Sequence, residues 1–263
     1  MVAASDLTLY SAKVCPWAQR ATLALREVGA YDSGLNHVEI DLTNKPSWYA
    51  SKVNPASKVP VLQIGKEGEK DTKFIPESGV LLELTSDLFP EKGLTPNDPV
   101  QRAEARYFAE RYTQIVTGPL MGYIYAGKAD GIDSLLAGLD EIQSHLAKHP
   151  GTFLLGSDIS IGDLAVAPFV GRLFTFAKAG LLPQEVAKTL TSDEKYASLR
   201  AYNEALTSRP SWSVRWLALP FPLRLSNSLA ILTPFGRQAT YDEEYILEKT
   251  KARIDVLRAQ AKQ

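Results

Sequence analysis

Cysteine is almost missing from this chain: among 263 residues there is one, Cys15, and histidine occurs three times. A lone thiol cannot close an internal disulfide, so stability has to come from packing, and the composition suits a reducing compartment. His37, His145 and His149 do not fall into a metal-ligand spacing, and no metal is expected. A surplus of charge is missing too. Lys and Arg number 29 against 30 Asp and Glu, a formal net charge of -1, which gives no general attraction for nucleic acid or an anionic membrane. The longest apolar runs are broken by Pro, Gly or charge well short of the ~20 residues that span a bilayer. Residues 1–10 show no basic leader ahead of an apolar run. A cytoplasmic protein without membrane or nucleic-acid partners is the expectation.

What is present is apolar material, 45% of the residues, enough for one large core or two modest ones. The first ninety residues alternate in character. Leu7-Thr8-Leu9-Tyr10, His37-Val38-Glu39-Ile40, Val59-Pro60-Val61-Leu62-Gln63-Ile64 and Lys73-Phe74-Ile75 read as strands. Residues 16–28, closed by Gly29, and 79–88 read as helices, with a loop or short helix between the second and third strands. The resulting order, β-α-β-α-β-β-α, is the thioredoxin-like arrangement. Pro90, Gly93, Pro96 and Pro99 punctuate a linker at 91–99. Helical periodicity then dominates at 100–126, 132–148, 161–179, 192–207 and 212–219. The expected architecture is therefore an α/β thioredoxin-like domain over 1–90 and an all-α domain over 100–263. Within the latter, 220–240 carries Pro220, Pro222, Pro234 and Gly236 and reads as irregular. Residues 241–261 read as a final helix, with Leu247, Ile254 and Ala261 at sevenfold spacing packing back onto the domain.

The segment Ser11-Ala12-Lys13-Val14-Cys15-Pro16-Trp17-Ala18-Gln19-Arg20 carries the chemistry. Pro16 suits the first turn of a helix, which sets Cys15 at the helix entrance. Unpaired N–H groups and the helix dipole favour negative charge there, so a lowered thiol pKa and a nucleophilic thiolate are expected, helped by Lys13 if it turns inward. Position 18 is Ala, so there is no second cysteine to resolve a mixed disulfide. A second thiol must come from outside.

These residues resemble the omega class of glutathione transferases, whose signature is Cys-Pro-Phe-Ala-x-Arg after a Tyr-Ser strand end; here Tyr10-Ser11 precedes it and Trp17 replaces Phe, as in fungal omega-type members. The resemblance runs to about Leu219 and leaves 220–263 unmatched. It implies a glutathione site built from three further motifs. In Asn44-Lys45-Pro46-Ser47-Trp48, Lys45 contacts the glycine carboxylate. In Asn54-Pro55-Ala56-Ser57-Lys58-Val59-Pro60, a cis Val59–Pro60 bond leaves the backbone of Val59 free for the cysteinyl part; on the residues alone, a trans proline on an edge strand is an equal reading. In Pro76-Glu77-Ser78-Gly79, Ser78 and the first N–H groups of a helix receive the γ-glutamyl carboxylate while Glu77 pairs with the amino group. Trp17 joins the same site. Ser160-Ile161-Gly162-Asp163 reads as a capping box and concerns folding alone.

The second substrate is expected between the Cys15 loop and the helical half, lined by Tyr112, Tyr123, Ile124, Tyr125 and Arg172, aromatic enough to stack a planar molecule. The implied activity is glutathione-dependent thiol transfer or deglutathionylation with glutathione as co-substrate, acting on glutathionyl adducts, dehydroascorbate or aromatic conjugates. The alternative is ligandin-like binding of aromatic or polyphenolic molecules with little turnover. A homodimer is implied by the same resemblance.

Overall fold

The computed structural model describes residues 2–66, 68–149, 151–212 and 241–260. Four strands, β1 (Leu7–Ser11), β2 (Asn36–Glu39), β3 (Val61–Ile64) and β4 (Lys73–Pro76), form one sheet in the order β2-β1-β3-β4. β1 runs parallel to β2 and antiparallel to β3, and β3 pairs antiparallel with β4, with Leu9 opposite Leu62 and Leu62 opposite Ile75. Alternation along β1 buries Leu7, Leu9 and Ser11 and turns Thr8 and Tyr10 to the other face. The buried side shares its core with Leu23 and Leu25 of α1 (Pro16–Glu27) and Leu81 and Leu82 of α3 (Ser78–Leu88). The opposite side meets the short α2 (Ser47–Lys52), where Tyr49, Val53, Ile40 and Val61 form a smaller core joined by Tyr10 and Phe74. This is the thioredoxin-like frame expected from the sequence.

The rest is helical among the described residues: α4 (Pro99–Tyr112), α5 (Gly118–Ala126), α6 (Gly131–Lys148), α7 (Ile161–Lys178), α8 (Gln184–Ser192), α9 (Ala197–Thr207) and α10 (Glu243–Gln260). The helix expected over 100–126 is instead two, joined by a π turn at Thr113–Thr117 just before Pro119. α8 was not anticipated. The helix expected over 212–219 and the irregular stretch 220–240 lie outside the described residues, apart from Trp212.

α7 is the axis of the molecule. It is buried from Ile161 to Ala177 and packs on α1, α3, α4, α8 and α9. Its start is a full capping box: Ser160 and Asp163 satisfy each other's backbone and side chain, and Asp163 also accepts from Leu154 N (2.9 Å) and Tyr202 Oη (2.7 Å). Gly162 lets α7 approach α4, since a β-carbon there would stand 2.8 Å from the Ala105 carbonyl oxygen. α10 packs onto α5 and α7. Its buried line is Ile246, Thr250 and Ile254, at fourfold spacing; of the expected sevenfold stripe, Ile254 is buried, Leu247 is half-buried against the core, and Ala261 lies outside the described residues.

Candidate functional site

Cys15 is the N-cap residue of α1 and Pro16 is its first helical residue. The preceding loop is tied on both sides. Cys15 N donates to Ala12 O (2.9 Å), Lys13 N to Glu39 Oε1 (2.8 Å), and Arg172 Nη2 to Val14 O (3.1 Å). The sulfur is therefore placed by a strand end on one side and by α7 on the other.

The electrostatics of that sulfur differ from the expectation. Burial pushes the Cys15 thiol up, and this outweighs the N–H groups of Ala18 and Trp17 and the guanidinium groups of Arg172 and Arg20, which all pull it down. The helix entrance thus moderates the cost of ionisation without reversing it in the free protein. The cations that bear on the sulfur are Arg172 and Arg20, not Lys13. Arg20 is itself buried and pushed down to about 10 for that reason, the thiol and Glu110 opposing the shift. It donates to Ala165 O (2.6 Å), Ser78 Oγ (3.4 Å) and Thr113 Oγ1 (3.4 Å), and its guanidinium lies 4.5 Å from the centroid of Trp17 and 4.9 Å from that of Phe169. One arginine thereby joins α1, α3 and α7 beneath the site.

Cys15 opens into a cleft of about 470 Å³ whose lining includes Trp17, Lys45, Val59, Pro60, Glu77 and Ser78. Four segments separated by up to 63 positions, from Cys15 to Ser78, meet there. The Val59–Pro60 bond is cis. The loop before it is built in advance: Asn54 Nδ2 and Tyr49 Oη both donate to Lys58 O (2.9 and 2.8 Å), and Lys45 Nζ donates to Ser57 O (2.6 Å). No hydrogen bond engages the backbone of Val59 among the described residues. Glu77 holds a φ of 75°, unusual for a residue with a β-carbon and of the kind that gathers at functional sites, and Ser78 opens α3. Leu42, Asn54, Ser57, Lys58 and Pro76 line the cleft as well. Of these, Asn54, Ser57, Lys58 and Pro76 sit inside the sequence motifs, but nothing in their residue types marked them as lining.

The expected second pocket fares differently. Trp17 is 39% exposed at the cleft, its ring edge-on to Phe169 at 4.7 Å. Tyr112 is fully buried beside Phe108 in the helical core, and Ile124 is buried as well, so neither is presented to an open pocket; both sit on the core-facing stripes of their helices. Tyr123 is half-buried next to Gly131 at the start of α6. Tyr125 shares a hydrogen bond with Thr250 of α10 (3.2 Å). Arg172 is 2% exposed and reaches the Cys15 loop from behind. Among the described residues there is no group of three or more His, Cys, Asp or Glu that could hold a metal, and no helix is long and apolar enough to cross a membrane.

The family model "Glutathione S-transferase, N-terminal domain" matches residues 9–93, and "Glutathione S-transferase, C-terminal domain" matches 103–205. Protein IN2-1 homolog B of Oryza sativa is 33% identical over 204 residues, 74% of this chain and 78% of that protein. The crystal structure of glutathione transferase Omega 1C from Trametes versicolor superposes with a TM-score of 0.77 at 33% identity, covering 96% of this chain and 98% of the other. Omega 2S from the same organism, in complex with 2,4-dihydroxybenzophenone, gives 0.69 at 32% identity, covering 78% and 90%.

Proposed function

The chain belongs to the glutathione S-transferase family, is a glutathione-dependent transferase of omega-class kinship, and on that premise we propose that it moves glutathionyl groups through a mixed disulfide at Cys15. The observation that carries this reading is the single cleft in which the one thiol of the chain faces Lys45, Lys58, Val59, Glu77 and Ser78. Glutathione has two carboxylates, one ammonium and a peptide backbone. Lys45 and the start of α3 at Ser78 suit the carboxylates, Glu77 suits the ammonium, and the open backbone of Val59 suits the peptide.

In the proposed sequence, the Cys15 sulfur, as thiolate, attacks the glutathione sulfur of a glutathionyl substrate. The old S–S bond breaks, the acceptor thiolate leaves and takes a proton, and Cys15 carries glutathione. The thiolate of a second glutathione attacks the glutathione sulfur of that adduct, releasing oxidised glutathione and the Cys15 thiolate. Arg172, Arg20 and the N–H groups of Trp17 and Ala18 favour the anion at both ends of this exchange. Burial makes the anion dearer but also more nucleophilic, since nucleophilicity falls with falling pKa. Mixed disulfides of glutathione are the substrates of this step. With an aromatic ketone conjugate the same attack breaks the C–S bond, and the enolate leaves and takes the proton. With dehydroascorbate the Cys15 thiolate adds to a carbonyl carbon, after which a glutathione thiolate attacks the Cys15 sulfur, expels ascorbate and leaves the same mixed disulfide. The half-exposed Trp17 is the surface for an aromatic substrate.

A second reading, binding of aromatic molecules with little turnover, is favoured by one observation: the similar Omega 2S structure holds 2,4-dihydroxybenzophenone. A homodimer is proposed through the exposed Val80 of α3 and Val100 and Tyr107 of α4, and residence in the reducing cytoplasm through the lone free thiol. The deciding experiment is Cys15→Ser in glutathione-dependent disulfide reduction. A serine oxygen cannot form the mixed disulfide, so turnover falls to background. Undiminished turnover rejects the mechanism, and aromatic binding that survives in both proteins while wild-type turnover is negligible favours the second reading.

A further inference from the structure

Arg172 lies on α7, 2% exposed, and its acceptors are all neutral. Nη1 donates to Gln19 Oε1 (2.6 Å) and Pro168 O (2.9 Å), and Nη2 to Val14 O (3.1 Å). No carboxylate pairs with it among the described residues, and the groups of potential negative charge acting on it are Tyr241, Cys15 and Tyr125. A buried cation without a counter-ion is strongly unfavourable, and of these three groups a thiol ionises most readily.

The guanidinium is roofed from the C-terminal side. The Tyr241 ring centroid is 5.4 Å from it, Tyr241 Oη donates to Thr175 Oγ1 (2.8 Å), and the ring stacks on Trp212 at 4.6 Å. The edge of the Trp212 indole in turn meets α7 at Gly171, where a β-carbon would stand 2.5 Å from its Cζ2 and Cη2 atoms. Gly171, Arg172 and Thr175 form a socket for two rings that are 29 positions apart in the chain (241 minus 212). Trp212 and Tyr241 meet on this one spot of α7.

We infer that Arg172 is a positioning residue for Cys15, held in place by Tyr241: its guanidinium fixes the Val14 carbonyl next to the reactive residue and is the buried counter-charge of the sulfur when it ionises. The inference rests on Cys15 being the reacting group. Arg172 then acts on the thiol from behind the loop, not on the acceptor in front of it. The other charged or titratable groups around the sulfur are Arg20 on its own helix, Lys45, Lys58 and Glu77 across the cleft, and Tyr125 and Tyr241 behind Arg172.

The test is the pH dependence of Cys15 alkylation by neutral iodoacetamide, with thiol transfer assayed in parallel, in wild type, Arg172→Gln, Tyr241→Leu and Tyr241→Phe. The lone thiol makes the readout unambiguous. Arg172→Gln should raise the midpoint by about one unit, slowing alkylation below it about tenfold. Tyr241→Leu keeps the charge but removes its roof, and should lower kcat about tenfold while leaving the KM for glutathione unchanged. Tyr241→Phe keeps the ring and should match wild type. An unmoved midpoint in Arg172→Gln, or Leu and Phe variants that behave alike, overturns the inference. If Arg172→Gln does not fold, the Tyr241 pair decides alone. Cys15→Ser separates the failures: retained thiol transfer there removes the reading of Cys15, whereas its loss beside an unmoved Arg172→Gln midpoint removes Arg172 only.

Discussion

Replacing Asp163 tests how the helical half sets the chemistry. The side chain is fully buried at the head of α7 and accepts four hydrogen bonds, from Leu154 N (2.9 Å), Ser160 N (2.8 Å), Ser160 Oγ (2.7 Å) and Tyr202 Oη (2.7 Å). In Asp163→Ala the two hydroxyls can turn away, but the two backbone donors cannot. Each buried, unpaired N–H costs about 1–3 kcal/mol, so the pair loses roughly 4 kcal/mol. Burial of the carboxyl is itself unfavourable, enough to push it above the usual carboxylate range, and removing it returns part of that cost. We expect a net loss of about 3 kcal/mol, a fall in Tm of about 6–12 °C for a protein of this size. Asp163→Asn keeps Oδ1 for Leu154 and Tyr202 but turns an N–H₂ toward the Ser160 donor, so it should fall between wild type and Ala. Urea and thermal unfolding read both. The loss also reaches the site, because α7 presents Ala165 O to Arg20 and Arg172 to Val14. A destabilisation below about 1 kcal/mol in Asp163→Ala would mean that the two backbone donors are not left unpaired.

Two further outcomes follow from the cleft. Lys45→Ala should raise the KM for glutathione about three- to tenfold with kcat nearly unchanged, as loss of one exposed charge-assisted contact requires; a fall in kcat at constant KM contradicts the assigned role. Because burial raises the Cys15 thiol above the ordinary value of 9.0, the thiolate fraction of the free protein grows with pH through and beyond that value, and the alkylation rate should keep climbing with it. A plateau below pH 9 contradicts the balance between burial and the arginines.

Much of the frame was legible because local rules and tertiary packing agree. Alternation in Leu7-Thr8-Leu9-Tyr10 marks a strand, Pro16 marks the first turn of α1, and the Ser160–Asp163 pair marks the head of α7. The cleft residues were legible for a different reason: Lys45, the Val59–Pro60 pair and Glu77-Ser78 stand in short motifs whose order around Cys15 is recognisable. Where local signal is weak, the reading failed. α8 has only Val186 and Leu190 on its buried face, too little periodicity to separate from a loop. The π turn at Thr113–Thr117 leaves the helical pattern of 100–126 intact on either side. Arg172 looked like a pocket residue because residue type carries no direction. Its contacts with Gln19 and Val14 lie 153 and 158 positions away, and no periodicity reports them. The thiol's ionisation was misjudged for the same reason. The helix entrance is written in Cys15-Pro16, but the depth of burial that outweighs it is a property of the assembled site.

If Cys15 carries glutathione during turnover, the adduct has a mass. Intact-mass measurement after brief exposure to oxidised glutathione detects it directly. One glutathionyl group should appear on the wild-type chain, vanish with reduced glutathione, and be absent from Cys15→Ser. A wild-type chain that stays unmodified while catalysing disulfide reduction would contradict the account.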